Sequence, residues 1–143
     1  MIQVSIIKRT LREGRTYDDF REAWYHAVGF GATNRMLTSL NVANPREVIV
    51  IGLTELTTLE QASSLIAIDA KERQEHPLDD IVEPDIQRTF GILVSEDDFS
   101  GAGEIEFKPA TVNGELTDMA AVEGALRTGA ELLAGFIHCN EDM

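Results

Sequence analysis

The chain has 143 residues, of which 43% are hydrophobic and 26% are charged, and these values are typical of one globular domain. They exclude a multi-domain enzyme, a collagen-like repeat and a chain too polar to collapse. The 12 Lys and Arg residues against 25 Asp and Glu residues give a formal net charge of −13, which disfavours binding to nucleic acid.

The amino-terminal segment reads as a strand. Ile2–Lys8 is short and rich in β-branched side chains. Because no basic segment precedes an apolar run of sufficient length, we expect no signal peptide. No window of the sequence approaches the roughly 18–20 apolar residues of a membrane helix. We therefore expect a soluble, cytoplasmic protein that does not bind membranes.

A helix is predicted next, and a variant capping box marks its start. Thr16 is placed to accept a hydrogen bond from a first-turn amide, while Asp19 reaches back towards Thr16. Apolar residues then recur at the spacing of one helical face. They are Phe20, Ala23, Trp24, Ala27 and Val28. Gly29 and Gly31 predict the end of the helix.

Two extended runs joined by a turn predict an antiparallel hairpin. The first run covers residues 33–42, and Ala43-Asn44-Pro45 is the turn signal. The second run, Val48–Leu53, is apolar at odd and even positions alike. A strand has this pattern only when both of its faces are buried.

A second helix and a fourth strand complete the pattern. Thr57-Thr58-Leu59-Glu60 predicts a capping box at the start of the helix, and Pro77 predicts its end. Ile86–Val94 reads as a strand. The order βαββαβ over residues 1–95 predicts an α+β domain with the ferredoxin-like motif. Both helices of that motif cover one face of an antiparallel four-stranded sheet.

Residues 96–143 are predicted to form a C-terminal extension. It begins with an acidic, glycine-containing loop, continues with a short extended run, Glu104–Phe107, and ends with a helix at about residues 117–135. The single cysteine, Cys139, cannot form an intrachain disulfide or a thiolate cage. Its acidic neighbours disfavour a reactive thiolate.

The face of the sheet away from the helices is predicted to be apolar. Alternation places Ile49, Ile51 and Leu53 on one side of the third strand, and we assign Gln3 and Ser5 of the first strand to that same side. Leaving several such apolar side chains in water costs roughly 1.5–3 kcal/mol each. We therefore expect the sheet of a second subunit to cover this face. The alternative is that the C-terminal helix covers it.

Two stretches of the sequence resemble proteins of the dimeric α+β barrel superfamily. In residues 11–24 a turn with a glycine precedes a helix in which Phe20 and Trp24 stand four apart. Asn44-Pro45-Arg46-Glu47 before the third strand, followed by Thr57–Ala62, is similar to the third strand and second helix of that superfamily. The resemblance covers residues 1–95. It implies a homodimer in which two sheets face each other to form a dimeric α+β barrel.

The resemblance also implies a choice of functions. The antibiotic-biosynthesis monooxygenase-like group implies a cofactor-independent monooxygenase that acts on an aromatic or quinol-type substrate in an apolar barrel pocket. A non-catalytic structural or ligand-sensing homodimer is the alternative, and a haem-binding protein is the third. Haem-degrading relatives carry an asparagine on the first strand and an aromatic residue on the third. This chain has Gln3 and Ser5 on the first strand instead of the asparagine, and Leu53 on the third strand instead of the aromatic residue. His76 could be the haem ligand.

Six side chains are the candidate site residues. Those predicted to bind the substrate are Gln3, Ser5, Trp24 and Leu53. Arg35 and His76 are the candidate catalytic residues, and Arg73 or Arg88 could hold an anion. The non-catalytic alternative predicts that the same volume is filled by Ile7, Ile49, Ile51 and Leu93. No two histidines stand at metal-ligand spacing, so we expect no metal and no cofactor.

Overall fold

The computed structural model describes residues 1–24, 31, 33–58, 60–109, 111–112, 115–116, 119–120, 122–124 and 126–131. Within these residues a four-stranded sheet comprises β1 (Ile2–Leu11), β2 (Asn34–Asn41), β3 (Asn44–Glu55) and β4 (Val82–Ile92). Helix α1 (Tyr17–Trp24) follows β1, and helix α2 (Glu60–Glu75) follows β3. The strands lie in the order β2-β3-β1-β4, and all neighbours are antiparallel. The predicted α+β class and antiparallel four-stranded sheet are confirmed.

The core lies on one face of this sheet. Val48 and Val50 of β3 are 0% and 2% exposed, and they cluster with Phe20 of α1. The other buried members of the cluster are Leu11, Leu78 and Val82. Fully burying side chains of this size contributes about 1.5–3 kcal/mol each. Phe20 thereby attaches α1 to the sheet.

The pairing of β1 with β3 corrects the predicted assignment of Gln3 and Ser5. Ser5 lies opposite Gly52, and Gln3 lies opposite Thr54. Directly paired residues project from the same side of a sheet, so Gln3 and Ser5 share the helix-covered face with Val50. Their predicted placement beside the isoleucines of β3 is wrong. The residues of β1 on the other face are Ile2, Val4, Ile6 and Lys8.

That other face is apolar along its centre. Val4 lies opposite Leu53, and Ile6 lies opposite Ile51. These four side chains are half-buried, and Leu37 of β2, which lies opposite Ile51, is 47% exposed. None of them reaches the near-zero exposure of the valines on the helix-covered face. We call the surface formed by Val4, Ile6, Leu37, Ile49, Ile51 and Leu53 the open face.

The two predicted capping boxes have different outcomes. At α1, the Asp19 amide donates to Thr16 Oγ1 at 3.2 Å, and the Thr16 amide donates to Asp19 Oδ2 at 2.8 Å, which confirms the first. At α2, the residue that reaches back is Gln61, whose Oε1 accepts from the Thr57 amide at 2.7 Å. Because α2 begins only at Glu60, the predicted Thr57–Glu60 box is one residue out of register.

Three strand boundaries differ from the prediction. The hairpin turns at Val42 and Ala43, because the Asn41 side chain accepts from the Ala43 amide at 2.9 Å; Pro45 belongs to β3. β1 continues to Leu11. β4 begins at Val82, four residues before the predicted Ile86, and it includes Pro84. Proline is tolerated at this place because β4 is an edge strand and its pairing with β1 is irregular between Arg9 and Leu11.

The C-terminal extension is described in part. Glu104–Phe107 has no regular structure, so its prediction as an extended run is wrong; the flanking Ser95 and Pro109 form an isolated bridge. A short hairpin not predicted from the sequence joins β5 (Thr111–Val112) and β6 (Glu115–Leu116). Residues 119–120, 122–124 and 126–131 are helical, in agreement with the predicted helix. Its remaining residues and residues 25–30, where the predicted end of α1 falls, lie outside the described residues.

Candidate functional site

A cavity of ≈ 90 Å³ lies between the sheet and the helices, and it is open on one side. Its floor is built from cross-strand neighbours of the helix-covered face. The paired residues Gln3 and Thr54 both line it, and so does Ser5, which lies opposite Gly52. The walls come from the end of α1, from α2 and from β4. The lining residues are Gln3, Ser5, Ile7, Trp24, Asn34, Met36, Thr54, Ala62, Leu65, Ile66, Arg88 and Phe90.

Two small residues at paired positions make room for this cavity. Ser5 of β1 and Gly52 of β3 lie opposite each other in the two central strands. A Cβ atom on Gly52 would lie 2.5 Å from Ser5 Oγ and 3.0 Å from Met36 Sδ. Both side chains therefore lean over the glycine. The next pair along the sheet, Ile7 with Val50, is large and joins the core instead.

The walls of the cavity are aromatic and aliphatic. Trp24 stacks on Phe20, with the ring centroids 6.0 Å apart and the planes 11° from parallel. Because Phe20 is 2% exposed, this contact fixes the indole against the core. Phe90 of β4 and Leu65 of α2 also line the cavity. The arrangement suits the apolar part of an organic molecule.

The floor carries uncharged hydrogen-bonding groups. Gln3, Ser5, Asn34 and Thr54 all line the cavity. The side-chain oxygen Oδ1 of Asn34 is buried and accepts no hydrogen bond from the described residues. Buried polar atoms in proteins nearly always have a hydrogen-bond partner. Asn34 thus keeps a buried acceptor without a partner among the described residues, next to the cavity that its side chain helps to line.

The charge of the cavity is positive. Arg88, an exposed residue of β4, is the one charged side chain among the described residues that line it. These lining residues include no carboxylate and no imidazole. A general base for proton abstraction is therefore missing from this set.

The structure brings together three of the six predicted site residues. Gln3, Ser5 and Trp24 line the cavity. Leu53 and Arg35 do not, because they pair with each other on the opposite side of the sheet. Their predicted roles would require a second binding surface on the open face.

His76 lies apart from the cavity, at the carboxyl end of α2. Its Nδ1 is 3.1 Å from Glu72 Oε1, and its side chain is 64% exposed. Glu72, Glu75 and His76 have ligand atoms within 4.8 Å of one another, but acids and a histidine spaced in this way are common on exposed helices without a metal. The position adds no support for His76 as a haem ligand or a general base.

Sequence reasoning did not find Asn34, Thr54 and Phe90 as lining residues. Their strands were predicted, but the pairing that brings them beside Ser5 was not. One signal was present in the sequence. A glycine within the apolar run Val48–Leu53 indicates a close backbone or side-chain approach at Gly52.

The size of the cavity limits what can enter it. Its ≈ 90 Å³ is enough for a few ordered water molecules. Cavities of about 150 Å³ are known to bind benzene, and typical ligand pockets measure about 300–1,000 Å³. The enclosed part of the cavity therefore has room for only one end of a small organic molecule, and its open side leaves room for the remainder.

No family model matches the chain, and the comparisons with curated proteins and with solved structures also found no match. In the part of the chain that the structure describes, no helix has the length and apolar character needed to cross a membrane. The functional inference therefore rests on the geometry of the cavity.

Proposed function

We propose that this protein binds a small organic molecule in the cavity between the sheet and α2. The observation that carries the proposal is the lining itself, in which the apolar walls of Trp24 and Phe90 face the polar floor of Gln3 and Ser5. Ligand sites typically combine apolar walls with a few convergent polar groups in this way. An aromatic or quinol-type molecule that inserts its hydroxyl end would contact the apolar walls with its ring and form hydrogen bonds to the polar floor with its hydroxyl group.

Cofactor-independent oxygenation of such a molecule is the second candidate. It is favoured by the hydrogen-bonding floor near Asn34, which could hold a phenolic hydroxyl or its anion. It is disfavoured by the absence of a carboxylate or imidazole among the described lining residues. A substrate would have to arrive already deprotonated. Non-catalytic binding, as in a ligand-sensing protein, therefore fits the cavity better.

We also propose that two copies pair through the open face. The element order and the strand order β2-β3-β1-β4 are those expected of a ferredoxin-like βαββαβ unit, whose helices cover one side only. The exposed centre of the other side, including Leu37 and Ile51, supports a cover by a second sheet. The dimeric α+β barrel is thus the proposed assembly. The cavity lies on the helix side, so each copy would hold its own ligand.

Fluorescence of Trp24 tests the proposed binding directly, because it is the single tryptophan of the chain and lines the cavity. We expect 4-hydroxybenzyl alcohol or a quinol to change its emission saturably. Ser5→Leu should fill the cavity and weaken binding about tenfold, or about 1.4 kcal/mol. The matched control is Ser39→Leu, at an exposed position of β2 on the opposite face of the sheet from Ser5.

The outcome that contradicts the proposal is an unchanged emission at millimolar concentrations of every compound, or equal affinity in Ser5→Leu and the wild type. Oxygen uptake with the same quinols separates the two candidate functions. Binding without uptake supports a non-catalytic protein. Uptake that is lost in Ser5→Leu and kept in Ser39→Leu supports the oxygenase.

A further inference from the structure

Two arginines lie on neighbouring strands beside the cavity. Arg88 lines the cavity from β4, and it lies opposite Ile7 of β1. Arg9 is two residues further along β1 and therefore projects from the same face, diagonally across from Arg88. Arg73 of α2 does not line the cavity, and its Nη1 donates to the main-chain oxygen of His76 at 3.4 Å.

The position of Arg9 is unusual for a surface arginine. Its side chain is half-buried, its Nη2 donates to the main-chain oxygen of Glu83 at 3.3 Å, and its Nε is buried without a hydrogen-bond partner among the described residues. Within the same described part of the chain, no carboxylate lies at ion-pair distance from Arg9. Arg12 and Arg46 differ, because each contacts the carboxylate of Glu83, at 3.4 and 3.6 Å.

The electrostatics agree with this geometry. Burial, followed by the like charge of Arg88, lowers the pKa of the Arg9 guanidinium. The like charge of Arg73 acts in the same direction, while Asp85 and Asp79 oppose it. An arginine stays protonated at neutral pH in spite of such a shift. Arg9 and Arg88 are therefore two cations held close together in a chain whose formal net charge is −13.

We propose that this arginine cluster, Arg9 and Arg88, binds the anionic group of the cavity's ligand. The proposal rests on the proposed function and adds the ligand's class, a small organic oxyanion with an aromatic or aliphatic body. Guanidinium groups suit carboxylates and phosphates because their donors match two oxygens at once. The anion lies at the mouth beside Arg88, and the body of the ligand extends towards Trp24 and Phe90.

Local positive charge also explains selectivity. The 25 acidic residues of the chain repel anions in general, so an anion gains affinity only where the local field is reversed. A neutral molecule of the same shape makes the same apolar contacts but gains nothing from the cluster. The difference in affinity between the two measures the contribution of the arginines.

The test compares benzoate and phenyl phosphate with neutral benzyl alcohol by Trp24 fluorescence and by calorimetry. We expect the wild type to prefer at least one of the two anions by about tenfold, with the preference reduced at high salt because screening weakens it. Arg88→Gln should remove the preference, so that both anions bind to this variant no more tightly than benzyl alcohol binds to it. The matched control is Arg21→Gln, an exposed arginine on α1 outside the cavity.

The outcomes distinguish the proposed arginine cluster from the proposed function. Loss of the anion preference in Arg88→Gln but not in Arg21→Gln supports the cluster, and the favoured anion identifies carboxylate or phosphate. Equal binding of anions and benzyl alcohol, or a preference that survives both Arg88→Gln and Arg9→Gln, overturns the arginine cluster while the proposed function stands. If none of the three compounds binds, both proposals fail. Thermal unfolding of each variant confirms that it is folded.

Discussion

At the scale of single residues, the cavity depends on the absence of one side chain. Gly52 lies between Ser5 and Met36 in the floor, and both lean over it. A glycine in a strand weakens the strand, so this position costs stability relative to a larger residue. The gain is space above the central strands. The proposed ligand binding and the stability of the sheet therefore make opposite demands on this position.

Gly52→Ala is expected to destabilise the protein and to narrow the cavity. The added Cβ would lie 2.5 Å from Ser5 Oγ, so Ser5 or the backbone must move. We expect the free energy of unfolding in urea to fall by about 1–3 kcal/mol, the usual cost of overpacking. Binding of benzyl alcohol should weaken in parallel.

Gly91→Ala is the matched control for this substitution. Gly91 also lies in a strand, β4, but a Cβ there meets nothing within 4 Å. We expect little change in stability and none in binding. If both alanine variants behave alike, the close approach at Gly52 has no energetic consequence.

At the scale of elements, α1 shows how local chemistry fixes a helix start. The reciprocal bonds between Thr16 and Asp19 satisfy two amides at the beginning of the helix. The hydrogen bond from the Thr16 amide lowers the pKa of the Asp19 carboxyl below its ordinary 3.8, and the hydrogen bond with the Thr16 side chain adds a smaller effect in the same direction. The charged form of Asp19 is thus favoured by folding.

The contribution of Asp19 to stability is expected to depend on pH. A carboxyl whose pKa is lowered in the folded state stabilises the protein above the unfolded-state pKa and loses this effect as the pH falls through the folded-state value. Asp19→Ala should therefore lower the Tm at pH 7, and the difference from wild type should shrink as the pH falls well below 3.8. Asp18→Ala removes the same charge from the same turn without breaking a capping bond among the described residues, so it is the control. A Tm difference that is constant with pH would contradict the prediction.

At the scale of the whole molecule, the two faces of the sheet have different environments. Val48 and Val50 are buried under the helices, whereas the open face keeps partly exposed Ile51 and Leu53 at its centre. A soluble single copy would leave this apolar surface in water. The proposed pairing of two copies would remove this surface from water.

Ile51→Glu is expected to convert a dimer into a monomer. It places a charge in the middle of the open face, where it would be desolvated without a partner. Sedimentation velocity across a concentration series should show dimers for the wild type and monomers for the variant. Ile68→Glu, at a 44% exposed isoleucine on α2, is the matched control and should remain dimeric. A wild type that is monomeric throughout would refute the proposed assembly.

Much of the fold was predictable because it is local. The α+β class, the four strands and both helices follow from alternation, helical spacing and the stop at Pro77, although the boundaries of β3 and β4 were displaced. Side-chain bonds that compete with the backbone explain one error, since Asn41 turns the chain earlier than Pro45 predicted. Of the site, Gln3, Ser5 and Trp24 were predicted, and Leu53 and Arg35 were placed in the same pocket by mistake.

What the sequence by itself determined is the order of the four strands of the main sheet and the two helices between them, and which side chains of one strand share a side. Only the tertiary structure decided which side of one strand lies on the same face of the sheet as a given side of its neighbour. Alternation repeats every two residues, so a shift of one residue in pairing exchanges the two sides completely. The pairing of Ile7 with Val50 made that choice, and it turned Gln3 and Ser5 towards the helices. It also placed Arg9 and Arg88 on one face, because strands distant in sequence become neighbours only when the sheet forms.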